Sequence, residues 1–178
     1  MDWEARFAAS GVGTPGPPSA LERRPDLLAS VPVAGRALDV ACGRGTVAVW
    51  LALRGLAVDA VDAAPSGLAL GERLASSVGV DVRWVEADLT GWRPEPGIHD
   101  VVVCQRYRDP ALYPALADAP APGGLLVVTV LSEVDDAGGR FRAAPGELLA
   151  AFGDRPDLRV LDHTEAAGEA SLVALRTM

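Results

Sequence analysis

The chain has little cysteine, no excess of positive charge and no long hydrophobic run. Its two cysteines, Cys42 and Cys104, are too few for a disulfide framework. Acidic residues outnumber Lys and Arg by 24 to 16, giving a net charge of −8, so nucleic acid is not an expected partner. Asp, Arg or Gly interrupts every apolar run before the roughly 18 to 20 residues that cross a bilayer, so we expect no membrane span. The acidic start MDWEARFAAS is unlike a secretory signal, and we expect a cytoplasmic protein.

Aliphatic residues are abundant, and their pattern predicts the fold class. With 178 residues, of which 49% are hydrophobic, the chain can bury one core and is expected to form one domain. From Arg36 onward, short strand-like runs alternate with helix-like runs, which favours an α/β fold with a mostly parallel sheet and helices on both faces. Two further strand-like runs, 158–164 and 171–176, are separated by about five residues including a glycine, and predict an antiparallel hairpin.

Individual elements can be placed from the same pattern. A short helix is expected at 2–9, and a second from Ser19 is interrupted by Pro25. Two prolines in 89–97 argue against a full helix there, and 131–144 is expected to be an irregular connection. The predicted strands are 36–40, 56–61, 81–85, 99–104 and 125–130, and the predicted helices are 46–54, 65–78, 109–117 and one starting near 145.

A glycine-bearing turn between the first strand and its helix is the first candidate ligand site. Gly43 and Gly45 would let a ligand approach the backbone there. Written as GRGTVA, the turn fits the dinucleotide pattern G-x-G-x-x-A, with Asp62 at about the expected distance downstream. The turn alone is therefore compatible with a nicotinamide cofactor, and also with a purely structural role.

Asp39, at the end of the strand that precedes the glycines, separates these interpretations. A dinucleotide fold normally continues apolar at this point and receives a pyrophosphate in the turn. A fixed carboxylate opposes phosphate groups and suits a cationic ligand end, such as an α-amino group or a sulfonium. Asp39 therefore favours a different cofactor.

The segment LDVACGRG resembles the first motif of the class I, Rossmann-like S-adenosylmethionine-dependent methyltransferases, which is usually D/E-x-G-x-G-x-G. Ala41 stands in place of the first glycine. VDAVDAAPSGL, VEADLTGW, HDVVVC and APGGLLVVTV follow at matching intervals. The resemblance implies an open, mostly parallel seven-stranded sheet that ends in an antiparallel hairpin. It also implies an N-terminal cap at 1–35 and a methyltransferase domain at 36–178, with S-adenosyl-L-methionine as cofactor.

The resemblance also assigns cofactor contacts. It implies that Asp62 holds the ribose hydroxyls, that Asp88 meets the adenine amino group, and that the backbone of Cys104 faces the methionine amino group. Asp39, Asp62 and Asp88 fall at the carboxyl ends of three successive predicted strands, where open α/β sheets bind ligands. The full set implied is Asp39, Ala41, Gly43, Gly45, Asp62, Ala63, Ala87, Asp88, Leu89, Cys104 and Gln105.

Three segments point to the methyl acceptor. QRYRDPALYPAL, the leader WEARF and RFRAAPGELLAAF resemble the small-molecule branch that includes tellurite-resistance and thiopurine-type methyltransferases. This implies in-line methyl transfer to a small S, Se, Te, O or N nucleophile. The implied pocket residues are Arg106, Tyr107, Arg140 and Arg142.

No catalytic residue, metal site or oligomeric state is predicted. We interpret His99 as a surface residue and His163 as structural, so neither is named as a general base. Two functional alternatives stay open at this point: an NAD(P)-dependent oxidoreductase, and a non-catalytic or repurposed S-adenosylmethionine-binding protein.

Overall fold

The computed structural model describes residues 3–136, 139 and 141–177, and divides the chain into two compact units, Met1–Trp92 and Arg93–Met178. The first unit contains α1 (Trp3–Ala8), α2 (Ser19–Glu22), α3 (Pro25–Ser30), β1 (Arg36–Val40), α4 (Thr46–Leu53), β2 (Ala57–Asp62), α5 (Pro65–Val78) and β3 (Arg83–Glu86). The second contains β4 (His99–Gln105), α6 (Tyr113–Asp118), β5 (Pro120–Leu131), α7 (Glu147–Phe152), β6 (Leu158–Ala166) and β7 (Glu169–Arg176). The predicted α/β class is confirmed.

In the first unit, three parallel strands lie in the order β3, β2, β1. β1 is buried from its second residue onward, as expected for a strand covered on both faces. The register pairs Val40 with Val61 and Asp62 with Glu86, so the carboxyl ends of the three strands are level. This register brings Asp39 and Asp62 to the same edge.

Helices α4 and α5 follow the sequence rules that predicted them. α4 is apolar on all sides and largely buried, with Val47, Val49 and Leu51 in the core. α5 begins at Pro65, whose φ suits a first helical position, and ends at Gly79, whose φ of 72° is left-handed. Both helices lie within one residue of their predicted bounds.

The leader also follows the expected break at proline. Pro25 lacks the N–H that a continuing helix needs, and the segment from Ser19 accordingly forms two short helices, α2 and α3. The described residues include no helix long and apolar enough to cross a membrane.

In the second unit, β4 and β5 are parallel, whereas β7 runs antiparallel to both β5 and β6. β5 begins earlier than predicted, at Pro120, and its register against β4 is interrupted between His99 and Val101. The hairpin loop is shorter than the predicted five residues. Only Ala167 and Gly168, with φ of 52° and 76°, connect the two strands, since two positive φ angles form the tight turn that matches strand twist.

Ala41 has a φ of 56°, a left-handed conformation that the glycine usual at this position would adopt without strain. We therefore expect Ala41→Gly to raise the free energy of unfolding by about 1 kcal/mol, measured by chemical denaturation. The control is Ala69→Gly, on the exposed side of α5, which should lower it by about 1 kcal/mol. A loss of stability in Ala41→Gly would contradict the prediction that the left-handed conformation of Ala41 is strained.

Candidate functional site

The glycine turn after β1 is built from residues that need backbone freedom. Gly43 and Gly45 have φ of 54° and 70°. A Cβ on Gly43 would lie 2.9 Å from Cζ of Phe7, and one on Gly45 would lie 2.4 Å from Cη2 of Trp84. Both glycines are therefore required by conformation and by close packing.

Asp62, at the end of β2, holds this turn in place. Its Oδ2 accepts the N–H of Gly43 at 2.8 Å, and its Oδ1 accepts the N–H of Ala64 at 2.9 Å. Each carboxylate oxygen has capacity for a further hydrogen bond. Asp62 thus fixes the turn and keeps acceptor capacity for hydroxyl groups.

Two other N–H groups of the turn, those of Cys42 and Gly45, bond within the protein as well. The N–H of Cys42 donates to the carbonyl of Val61 at 3.1 Å, and that of Gly45 donates to the carbonyl of Cys42 at 2.9 Å. A pyrophosphate needs such groups free and pointing at the ligand. With Asp62 already occupying the Gly43 N–H, the turn offers a carboxylate where a dinucleotide fold offers donors.

Asp39 lies beside the turn and is only 2% exposed. Its Oδ2 has no hydrogen-bond partner among the residues that the structure describes. Burial and, to a smaller extent, the charge of Asp62 raise the pKa of Asp39 to about 8, although a hydrogen bond from the backbone of Ala48 opposes the shift. Two acidic groups thus share a buried space, an arrangement that a cation would stabilise.

Asp88, which follows β3, is exposed. Its Oδ1 accepts the N–H of Thr90 at 3.0 Å and its hydroxyl at 2.8 Å, and these bonds lower the pKa of Asp88. The adjacent Ala87 donates its N–H to the carbonyl of Asp62, and Leu89 is buried. Asp88 is therefore an ionised acceptor on a loop that is bonded to the end of β2. Ala63, which directly follows β2 in the chain, is exposed.

Helix α1 packs against the same part of the first unit. Phe7 lies over Gly43, and the hydroxyl of Ser66 donates to the carbonyl of Glu4 at 3.0 Å. The N–H of Ser66 donates to the Glu4 carboxylate at 3.1 Å. The leader thereby covers one side of the glycine turn.

In the second unit, the carboxyl end of β4 carries four of the predicted residues. Cys104 is buried and its Sγ lies 3.8 Å from the carbonyl of Tyr107, while Gln105 and Tyr107 are partly buried. Arg106 has a left-handed φ of 59°, and its exposed guanidinium pairs with Glu169 at 3.3 Å. The chain turns sharply directly after the strand.

Arg142 is largely buried and binds protein groups. Its Nη1 donates to the carbonyls of Ser132 and Gly168 at 2.8 and 3.1 Å, and its Nη2 pairs with Asp136. These contacts connect the segment after β5 to the β6–β7 turn. Arg140 lies outside the described residues.

One side-chain network was missed by sequence reasoning. The Arg108 guanidinium makes a two-point contact with Glu147, at 2.8 and 2.6 Å, and the hydroxyl of Tyr113 donates to Glu147 at 2.9 Å. All three residues lie in the segments quoted above, QRYRDPALYPAL and RFRAAPGELLAAF. Nothing in a separation of 39 residues indicates their pairing.

Of the two histidines, His99 does not lie where the sequence predicted. His99 is buried, 3% exposed, with its Nδ1 3.3 Å from the carbonyl of Ala119, so the surface assignment was wrong. Its place at the start of β4 did not indicate this burial, which accompanies the pairing of β4 with β5. His163 lies within β6.

Comparison with known proteins finds a family match over part of the chain. The profile of the methyltransferase domain family matches residues 37–124. A ubiquinone biosynthesis O-methyltransferase from Marinobacter nauticus is 38% identical over 105 residues, which cover 54% of this chain and 44% of that protein. The aligned region is thus less than half of that relative's length.

Solved structures share the fold at low sequence identity. TehB from Haemophilus influenzae has a TM-score of 0.72 at 18% identity, over 85% of this chain and 59% of that one. The [4+2]-cyclase SpnF has a TM-score of 0.73 at 16% identity, over 97% and 90%. An S-adenosylmethionine-dependent methyltransferase from Clostridium acetobutylicum has a TM-score of 0.69 at 14% identity, over 90% and 91%. These likenesses show that the chain shares the Rossmann-like fold of these proteins, and the family match together with the Marinobacter relative supports a class I S-adenosylmethionine-dependent methyltransferase.

Proposed function

We propose that the chain transfers a methyl group from S-adenosyl-L-methionine to a small-molecule acceptor. The observation that carries this proposal is the glycine turn built around two buried acids, Asp39 and Asp62. A cofactor with a cationic amino acid end and a ribose suits carboxylates, whereas a pyrophosphate does not.

The residues of the first unit fit the cofactor. The unpartnered Oδ2 of Asp39 suits the cationic end, and the remaining acceptor capacity of Asp62 suits the ribose hydroxyls. The exposed Asp88 suits an adenine amino group, with Ala87 and Leu89 beside it in sequence, while Ala63 directly follows Asp62. Ala41, Gly43 and Gly45 supply the turn, and Cys104 and Gln105 complete the set as a prediction from the resemblance.

Helix α1 supports the assignment of residues 1–35 as a cap. Phe7 already rests on Gly43, and Glu4 bonds to both polar groups of Ser66. A cap that excludes water strengthens every electrostatic contact beneath it. We infer that α1 covers the cofactor turn during the reaction.

The acceptor is proposed to be a small molecule. The Marinobacter relative is named as a ubiquinone O-methyltransferase, and a further structural neighbour is named as a geranyl diphosphate C-methyltransferase. Both names describe small acceptors. Arg106, Tyr107, Arg140 and Arg142 stay as predicted pocket residues, although the described contacts of Arg142 are with protein groups.

When bound, S-adenosylmethionine supplies an electrophilic methyl group on a sulfonium. In the proposed displacement, the acceptor atom attacks from the side opposite to the sulfur, so that one bond forms as the other breaks. For a soft or already deprotonated nucleophile, alignment is the main requirement, and it can contribute on the order of 7 to 11 kcal/mol. Neither histidine is assigned as a base.

Calorimetry with S-adenosylhomocysteine and with NADH tests the cofactor. We expect micromolar or tighter binding of S-adenosylhomocysteine and no detectable binding of NADH, because carboxylates replace the donors that a pyrophosphate needs. Tight NADH binding alone would favour an oxidoreductase. Methyl turnover on thiols, selenide, tellurite, phenols and amines then tests activity, and binding without turnover on any of them would favour a repurposed binding protein.

Asp62→Ala should weaken S-adenosylhomocysteine binding by about tenfold or more, since a charge-assisted hydrogen bond contributes about 1.5 to 3 kcal/mol. Calorimetry on the folded variant measures the loss. The matched control is Asp59→Ala, on the same strand but paired with Arg36 and Arg83 at 3.7 and 3.3 Å. An equal effect of the two substitutions would show that the crevice has been misplaced.

The buried Asp39 makes stability depend on pH. Its pKa rises from 3.8 to about 8 on folding, so its stabilising contribution is complete below about pH 4 and is lost as the pH rises to about 8. Asp39→Asn should therefore be more stable than the parent protein at pH 8 by a margin absent at pH 4. One quarter of the shift already corresponds to about 1.4 kcal/mol.

Denaturation at pH 4, 6 and 8 measures this margin. The control is Asp81→Asn, an exposed aspartate of the same unit, for which we expect no growth in the margin. A margin for Asp39→Asn that is the same at all three values would show that the folded protein holds this carboxyl ionised.

A further inference from the structure

The network of Arg108, Glu147 and Tyr113 lies where β4 ends and α7 begins, within the second unit. Arg108 offers its Nε and Nη2 to the two carboxylate oxygens of Glu147 at 2.8 and 2.6 Å. Tyr113 donates its hydroxyl to the same carboxylate at 2.9 Å, and its ring packs against Phe152 with centroids 5.2 Å apart. The guanidinium plane is thereby fixed from one edge.

The protonation states of this network are also fixed. Burial alone would raise the pKa of Glu147, but Arg108 and Tyr113 hold it below its usual value. Contact with Glu147 raises the pKa of Arg108, and burial followed by the same contact raises that of Tyr113. None of the three groups is poised to exchange a proton near neutral pH, so the network is suited to binding and positioning and not to acid–base catalysis.

One edge of Arg108 is left for a ligand. A guanidinium carries five N–H donors, and Glu147 takes the Nε edge. Among the described residues, no acceptor contacts Nη1, and the side chain is 26% exposed. The second edge, formed by Nη1 and Nη2, has the spacing of a carboxylate.

We propose that Arg108 binds a carboxylate group on the methyl acceptor, and that Glu147 and Tyr113 position it. The site stands at the carboxyl end of β4, the end at which open α/β sheets bind ligands. Arg106 and Arg142 are less suited, because the first pairs with Glu169 at the surface and the second bonds to Ser132, Gly168 and Asp136. The acceptor is therefore a small organic acid.

This inference rests on the proposed function in one respect, since the bound carboxylic acid is taken to be the methyl acceptor. Its binding test does not require turnover. The probes are 3,4-dihydroxybenzoate and catechol, which differ only by the carboxylate. Calorimetry on the full chain, with and without S-adenosylhomocysteine, gives the ratio of their affinities. We expect a ratio of about ten or more in favour of the acid, from one bidentate charge-assisted contact.

Arg108→Gln should bring this ratio close to one. Arg108→Lys keeps a charge beside Glu147 but has no second edge, so it should lower the ratio as well. Because the ion pair with Glu147 is kept, this variant separates the loss of the binding edge from a loss of folding. Glu147→Gln should lower it partly, because Arg108 stays charged but is no longer held. The control is Arg159→Gln, an exposed arginine on β6 whose loss removes the same charge and should leave the ratio unchanged.

A merely structural network would change the thermal midpoint in the Arg108 variants and leave the affinity ratio as it is in the parent protein. That result, or equal affinities or no binding of the two probes in the parent protein, would overturn the inference. Failure of S-adenosylhomocysteine to bind while the ratio and its dependence on Arg108 persist would instead overturn the proposed function and leave the carboxylate site standing.

Discussion

The hydrogen bond from the Gly43 N–H to the Asp62 carboxylate is the contact on which the candidate site depends. It connects the turn after β1 to the end of β2, so the two strands present one surface to a ligand. It also places a negative charge where a phosphate would otherwise bind. A single side chain therefore fixes the shape of the turn and leaves a carboxylate beside it.

The buried carboxyl of Asp39 lies beside the same turn. A buried carboxyl without a partner on one oxygen is costly, and the protein without ligand reduces that cost by favouring the protonated form. A cationic ligand end would remove the cost by restoring a paired charge. Under the proposed function, binding of the cofactor would relieve this electrostatic cost.

The first unit was largely predictable because its information is local. The apolar run of β1, Pro65 at the start of α5 and Gly79 at its end each determine their own element. The acids could be placed because parallel strands bring their carboxyl ends together. The left-handed φ of Ala41 and the cover of Phe7 over Gly43 could not, since both result from packing between distant segments.

The arginines of the second unit show where sequence reasoning ends. Arg106, Arg108 and Arg142 look alike in the sequence, and all lie in segments assigned to the acceptor. Their roles diverge because each meets different acceptors in space. The exposed Arg106 pairs with Glu169, whereas Arg108 pairs with Glu147 and keeps one edge free. Arg142 bonds to two backbone carbonyls and to an aspartate. An arginine can recognise a ligand only when its protein partners orient it without using all its donors, and Arg108 meets that condition.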